Sequence, residues 1–215
     1  MRKIIVGLGV CLTFSIVGCS SDDVEEEVLE NETVEFETVS VLFKEKEFSD
    51  TTSYRLLKEL NICSDIAVDE TGELIAPCAA SHFTFLPFSK GKEIKNGFIL
   101  VVRADTGGFP LRRVLIFERE NGLLVKVNGF IGNVIGTKPS TTGYDDLLMR
   151  FMEKIDGSNV FYNCIMKWEE GKYQFKSVEY IEEPAGNFKG RVLDKVKDSV
   201  SNEIYQSLIQ NQMIF

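Results

Sequence analysis

From His82 to Glu182 apolar and polar positions alternate in short blocks, at residues 82–88, 98–105, 112–119, 123–130, 146–153, 159–168 and 172–182. A period of two is the signature of half-buried β-strands. The links between the blocks are turn chemistry. Asn121-Gly122 suits the two positive φ angles of a type I′ hairpin turn, and Thr106-Gly107-Gly108, Asp156-Gly157-Ser158 and Glu169-Glu170-Gly171 are looser connections of the same kind. Links this short join only antiparallel neighbours, which excludes a doubly wound parallel sheet with crossover helices. Upstream, Val34 and Phe36 alternate with Glu35 and Glu37 within residues 33–43. That segment reads either as a half-buried strand or as a tether that pairs onto a sheet edge. Asp50, Thr51, Thr52 and Ser53 are N-cap candidates before Tyr54, Leu56, Leu57 and Leu60 and predict a short helix. After the break at Pro184-Ala185-Gly186, Val192, Val196, Val200, Ile204 and Leu208, reinforced by Leu193, predict a helix over about 191–209. Its polar face mixes signs, which favours packing on the sheet over lying on a membrane surface. The resulting fold class is mainly β with flanking helices, a β-rich α+β domain over residues 33–215. Its antiparallel meanders pack as a sandwich or sheet with the C-terminal helix.

The glycine pair Gly108 and Gly122 recurs 49 residues later as Gly157 and Gly171, and Phe98–Val101 and Leu147–Arg150 fall at the same offset. The spacing suggests two copies of a three-stranded meander, although any two successive hairpin pairs of similar strand length would space alike. The second copy, with Asp146-Leu147-Leu148, Tyr162 and the hairpin Trp168-x-x-Gly171-x-Tyr173, resembles the blades of FG-GAP or VCBS-type β repeats. Two copies do not close a propeller. The acidic calcium loop of those blades is reduced here to Asp156 alone.

Charge changes the picture once it is divided. The 215 residues are 44% hydrophobic, enough for one sizeable core, and carry a formal net charge of −9. Nine acids and no base lie between Cys19 and Thr38, while Arg2 and Lys3 lead the chain, so Val39 to Phe215 is close to neutral. No basic cluster dense enough for a phosphate backbone is present, which argues against a nucleic-acid partner.

Arg2-Lys3 followed by the apolar run from Ile4 to Val17 has the form of a secretory signal over residues 1–18. The run is shorter than the roughly 20 residues needed to span a bilayer. Ile16-Val17-Gly18-Cys19 resembles the lipobox of bacterial lipoproteins, which implies cleavage before Cys19 and a diacylglycerol thioether on it. The partner implied is therefore a membrane, reached through the lipid at Cys19. Residues 19–32 read as an acidic flexible tether whose like charges oppose a core. Ser20-Ser21-Asp22-Asp23 and Glu25-Glu26-Glu27 resemble the export signal of surface lipoproteins in some Gram-negative bacteria. The expected location is the outer membrane, either displayed at the cell surface or, with the acids acting as a plain spacer, on the periplasmic face.

Of five cysteines, Cys11 leaves with the signal and Cys19 takes lipid. Cys63 and Cys78 flank the turn-like Asp69-Glu70-Thr71-Gly72 in a disulfide-permissive compartment and are either bridged or two reduced thiols. Cys164 sits in a strand pattern and reads as a small core hydrophobe.

Candidate chemistry is sparse. His82 is the single histidine, and Ser81 beside it points to the opposite strand face, so the two do not form a nucleophile–base pair. No CxxC, HExxH, GxSxG or P-loop pattern occurs, and no metal set or cofactor is indicated. Asp145-Asp146 reads as a strand-start cap. The remaining lead is aromatic: Phe83, Phe85, Phe88, Phe161, Tyr162, Trp168, Tyr173, Phe175 and Tyr180 offer ring faces on a β scaffold. Trp168, at a hairpin end, with Tyr173 across the turn, is the candidate platform for a glycan, peptide or protein ligand. Two functions remain open, a non-enzymatic lipid-anchored binding or interaction domain and an envelope hydrolase with a site around His82.

Overall fold

The computed structural model describes residues 35–43, 47–63, 78–88, 93–103, 111–183 and 189–215. The chain divides into two units, Met1–Val34 and Glu35–Phe215, and every described residue belongs to the second. The segments expected to be a signal, a lipobox and a tether, with Cys19, lie outside the described residues. So do residues 33–34, Asp69–Gly72, the Thr106-Gly107-Gly108 turn and Pro184-Ala185-Gly186.

Among the described residues nine strands form one antiparallel sheet. In chain order the elements are β1 (Glu37–Thr38), α1 (Thr51–Glu59), β2 (Phe83–Leu86), β3 (Gly97–Val102), β4 (Arg112–Glu120), β5 (Leu123–Lys138), β6 (Asp146–Ile155), β7 (Ser158–Glu169), β8 (Lys172–Glu182), β9 (Lys189–Arg191) and α2 (Asp194–Gln210). Strands β2 to β9 neighbour one another in sequence order, and β1 pairs with β5 off that path. The meander is thus a single sheet, not a sandwich of two. It curls: Asn128 on β5 donates its side-chain amide to the Tyr173 carbonyl on β8 at 2.8 Å, and one core draws side chains from β3 through β8.

Three links have the same two-residue form. Asn121 and Gly122 (φ 49° and 86°), Asp156 and Gly157 (48° and 83°), and Glu170 and Gly171 (52° and 77°) all carry the double positive φ of a type I′ turn. The three hairpins therefore share one geometry, whose twist matches the right-handed twist of the strands.

The 49-residue regularity does not survive as a structural repeat. Strand starts and ends do recur at that offset, with β3 and β6 beginning at Gly97 and Asp146 and β4 and β7 ending at Glu120 and Glu169. However, the main core takes Ile99 and Val101 from β3 but Leu147, Met149 and Phe151 from β6. Because the offset is odd, equivalent positions face opposite sides of the sheet. A duplicated meander would keep its buried face.

Two apolar clusters hold the domain. Strand β3 is buried at every position, which explains its unbroken apolar run. Ile99 and Val101 face the main core, while Phe98, Leu100 and Val102 face a second cluster under α1 with Leu56, Leu57, Phe83 and Phe117. Helix α1 starts where the sequence predicts, with the Asp50 carboxylate accepting from the Ser53 amide at 2.8 Å and its hydroxyl at 3.1 Å.

The predicted C-terminal helix packs on β8, but with a narrower stripe than expected. Ser201, Ile204 and Leu208 are buried, whereas Val196 is 39% and Leu193 61% exposed. At 3.6 residues per turn a step of four drifts by about 40° each time, so a stripe stepping strictly by four leaves the packed face. Ser201 meets a specific need there. Bulges in β8 break its register with β7 around Val178, and the Ser201 hydroxyl accepts the buried Val178 amide at 2.9 Å.

Candidate functional site

Strand β5 is the hinge of the architecture, because its two edges are shared unequally. Its first part, to Gly132, pairs with β4, and from Asn133 onward it pairs with β6. Beyond the Asn133–Arg150 pair, β6 leaves β5 and continues beside β7 alone. The freed edge of β5 is taken by the C-terminal segment: Gly129 and Phe215 exchange backbone hydrogen bonds at 2.7 and 3.0 Å, and the Ile131 amide donates to the Met213 carbonyl at 2.9 Å.

The fork between β5 and β6 holds a groove of about 660 Å³ whose walls are mainly apolar, with Leu111, Ile131, Met152, Ile155 and Met213 among them. Ile131 and Ile155 also reach solvent, at 37% and 46% exposure. One acid lines it. Glu153 is only 7% exposed, and its Oε1 accepts from Ser207 Oγ at 2.7 Å and from Asn211 Nδ2 at 2.6 Å. Both donors belong to the end of α2, where Asn211 is the C-cap and no basic residue occupies the last turn. A helix C-terminus carries partial negative charge, so helix and carboxylate add.

Neighbouring groups register that field. Burial first, and the Glu153 carboxylate second, push the Tyr162 phenol well above its ordinary range. Burial likewise drives the Cys164 thiol upward, with Glu179 and Glu153 adding to it. Cys164 is a buried free cysteine and is inert under those conditions.

A second groove of about 450 Å³ lies under the segment Val39–Phe43, with Arg112, Arg150 and Phe161 among its lining. Its guanidinium groups are structurally engaged. Arg103 and Arg112 lie over the Phe43 ring at 5.6 and 5.5 Å, and Arg150 lies over Phe161 at 4.4 Å while pairing with Glu182 at 2.8 Å. Burial, then the like charge of Arg103, lowers the Arg112 pKa.

Trp168 and Tyr173 are not an exposed platform. They are 8% and 2% exposed, because they face each other directly across the β7–β8 hairpin on its core side. Trp168 stacks on Tyr144 with centroids 4.0 Å apart and meets Phe88 and Tyr173 edge-on at 5.4 and 5.2 Å. The Tyr173 hydroxyl donates to the Asp145 carbonyl at 2.7 Å. The Tyr144 hydroxyl donates to Glu118, and burial together with that bond pushes its pKa up to about 12. These rings are core that ties three connections together.

His82 ends a short 3-10 turn ahead of β2, half-buried. Its Nδ1 is buried with no hydrogen-bond partner among the described residues, so no described carboxylate orients the ring through that nitrogen. Cys63 and Cys78 are joined by a disulfide with Cα atoms 5.0 Å apart. Among the described residues no three His, Cys, Asp or Glu side chains converge as a metal set, and no helix is long and apolar enough to cross a membrane. Comparison with known protein families, curated proteins and solved structures finds no match to this chain.

Proposed function

We propose that this chain is a lipid-anchored protein of the bacterial cell envelope, most simply of the outer membrane, whose domain binds a ligand without transforming it. The groove in the β5–β6 fork carries this reading. It joins a largely apolar wall to a single fixed carboxylate, the usual make-up of a small-ligand site. The lipobox-like Ile16-Val17-Gly18-Cys19 and the acids behind it support the address. They favour display at the cell surface, with the periplasmic face as the plain-spacer alternative. The hydrolase reading centred on His82 draws no support from Nδ1, which has no orienting partner among the described residues.

For the anchor, Cys19→Ala should abolish metabolic labelling with a fatty acid and move the chain out of the membrane fraction. Labelling that persists in the variant would overturn it. For the groove, hexanol should bind the full chain saturably in ligand-observed NMR, and a signal that never saturates would sink the binding role.

A further inference from the structure

Given that the fork is the binding groove, we infer that its ligand is an apolar molecule bearing one cationic group, an alkyl ammonium or guanidinium, and that Glu153 receives that group. A carboxylate withdrawn from water is costly unless hydrogen-bonded and paired with a countercharge. Glu153 has the first and lacks the second. Its described donors are the hydroxyls of Ser207 and Tyr162 and the Asn211 amide, all neutral, and it forms no ion pair among the described residues. Ser207 and Asn211 both use Oε1, and with the Tyr162 hydroxyl the carboxylate has three donors for its roughly four lone-pair sites, which leaves room for a ligand's donor.

The surroundings deepen the deficit. The C-terminal end of α2 adds partial negative charge beside it. Tyr162 and Cys164 are both held protonated in part by the Glu153 charge. The cations lining the groove, Arg113 and Lys154, are solvent-exposed, and Arg113 already has an interaction of its own. Exposed charges act through water and are screened, whereas a buried one acts through a medium of much lower effective dielectric. The buried carboxylate therefore sets the sign that the groove prefers. The apolar walls of Met152, Ile155, Ile131 and Met213 then take the body of the ligand.

Three probes of equal chain length separate the charge from the groove: hexylammonium, hexanol and hexanoate, each titrated at neutral pH into the full chain in non-ionic detergent. Hexylammonium should bind about tenfold more tightly than hexanol, with hexanoate weakest. Glu153→Gln should erase the ammonium advantage, so that hexylammonium and hexanol bind alike. Glu153→Asp, which keeps the charge, should retain part of it and serves as the folded control if the amide variant is unstable. An ammonium no tighter than the alcohol, an advantage that persists in Glu153→Gln, or a preference for hexanoate would each overturn the cationic ligand while hexanol binding keeps the groove. Failure of all three probes to saturate would remove the groove reading itself.

Discussion

Glu170 occupies left-handed backbone at φ 52°, where an L residue's Cβ crowds the following carbonyl. The equivalent positions in the sister turns hold Asn121 and Asp156, whose short polar side chains tolerate that region. Glu170→Asn should therefore stabilise the domain by about 0.5 kcal/mol, read as a higher midpoint in denaturant unfolding. A neutral or lower midpoint would show that the turn tolerates Glu without strain. The same scale explains why the groove is hard to read from the chain. Within β6, alternation puts Glu153 on the face of Leu147, Met149 and Phe151, but Leu148 and Met152 make the other parity apolar as well, so the strand alone leaves open which face is the buried one. Trp168 and Tyr173 mislead for a related reason. An aromatic pair across a hairpin faces one side of the sheet, but which side depends on the curl that brings Phe88 and Tyr144 over it.

At the scale of elements, short-range rules carry most of the fold. Strand positions, the hairpin turns and both helices follow from alternation, glycine at positive φ and an Asp N-cap, all local signals. What escapes them is the length of β5 and its change of partner, because β5 continues through Gly129, Gly132 and Gly136, residues that read locally as strand breakers. The structure gives Gly132 a reason to be small. A Cβ there would stand 2.9 Å from the Arg150 carbonyl and 3.2 Å from the Phe151 ring, at the point where β6 leaves β5. Gly132→Ala should cost about 1–3 kcal/mol by thermal or denaturant unfolding. Because it pries the fork, it should also weaken hexanol binding; full stability in the variant would mean that the strands spread without penalty.

At the scale of the molecule, the described residues form a single curled sheet with two apolar clusters. The disulfide belongs here, because its effect is on the ensemble of unfolded chains. Cys63 and Cys78, separated by 15 residues, close a loop whose reduction, or a Cys63→Ser/Cys78→Ser double variant, should lower stability by about 3 kcal/mol. An unchanged unfolding midpoint under reductant would refute a stabilising role. The arrangement around β5 has a kinetic side as well. Residues 37–39 cover the stretch of one edge that β4 leaves open, and residues 213–215 cover the stretch of the other edge that β6 leaves open, segments from opposite ends of the described chain. Loop closure over such distances slows folding. A polypeptide emerging from the ribosome can form the β6–β8 hairpins at once, yet the central strand stays unsealed, and open to pairing with a second chain, until residues 213–215 have emerged.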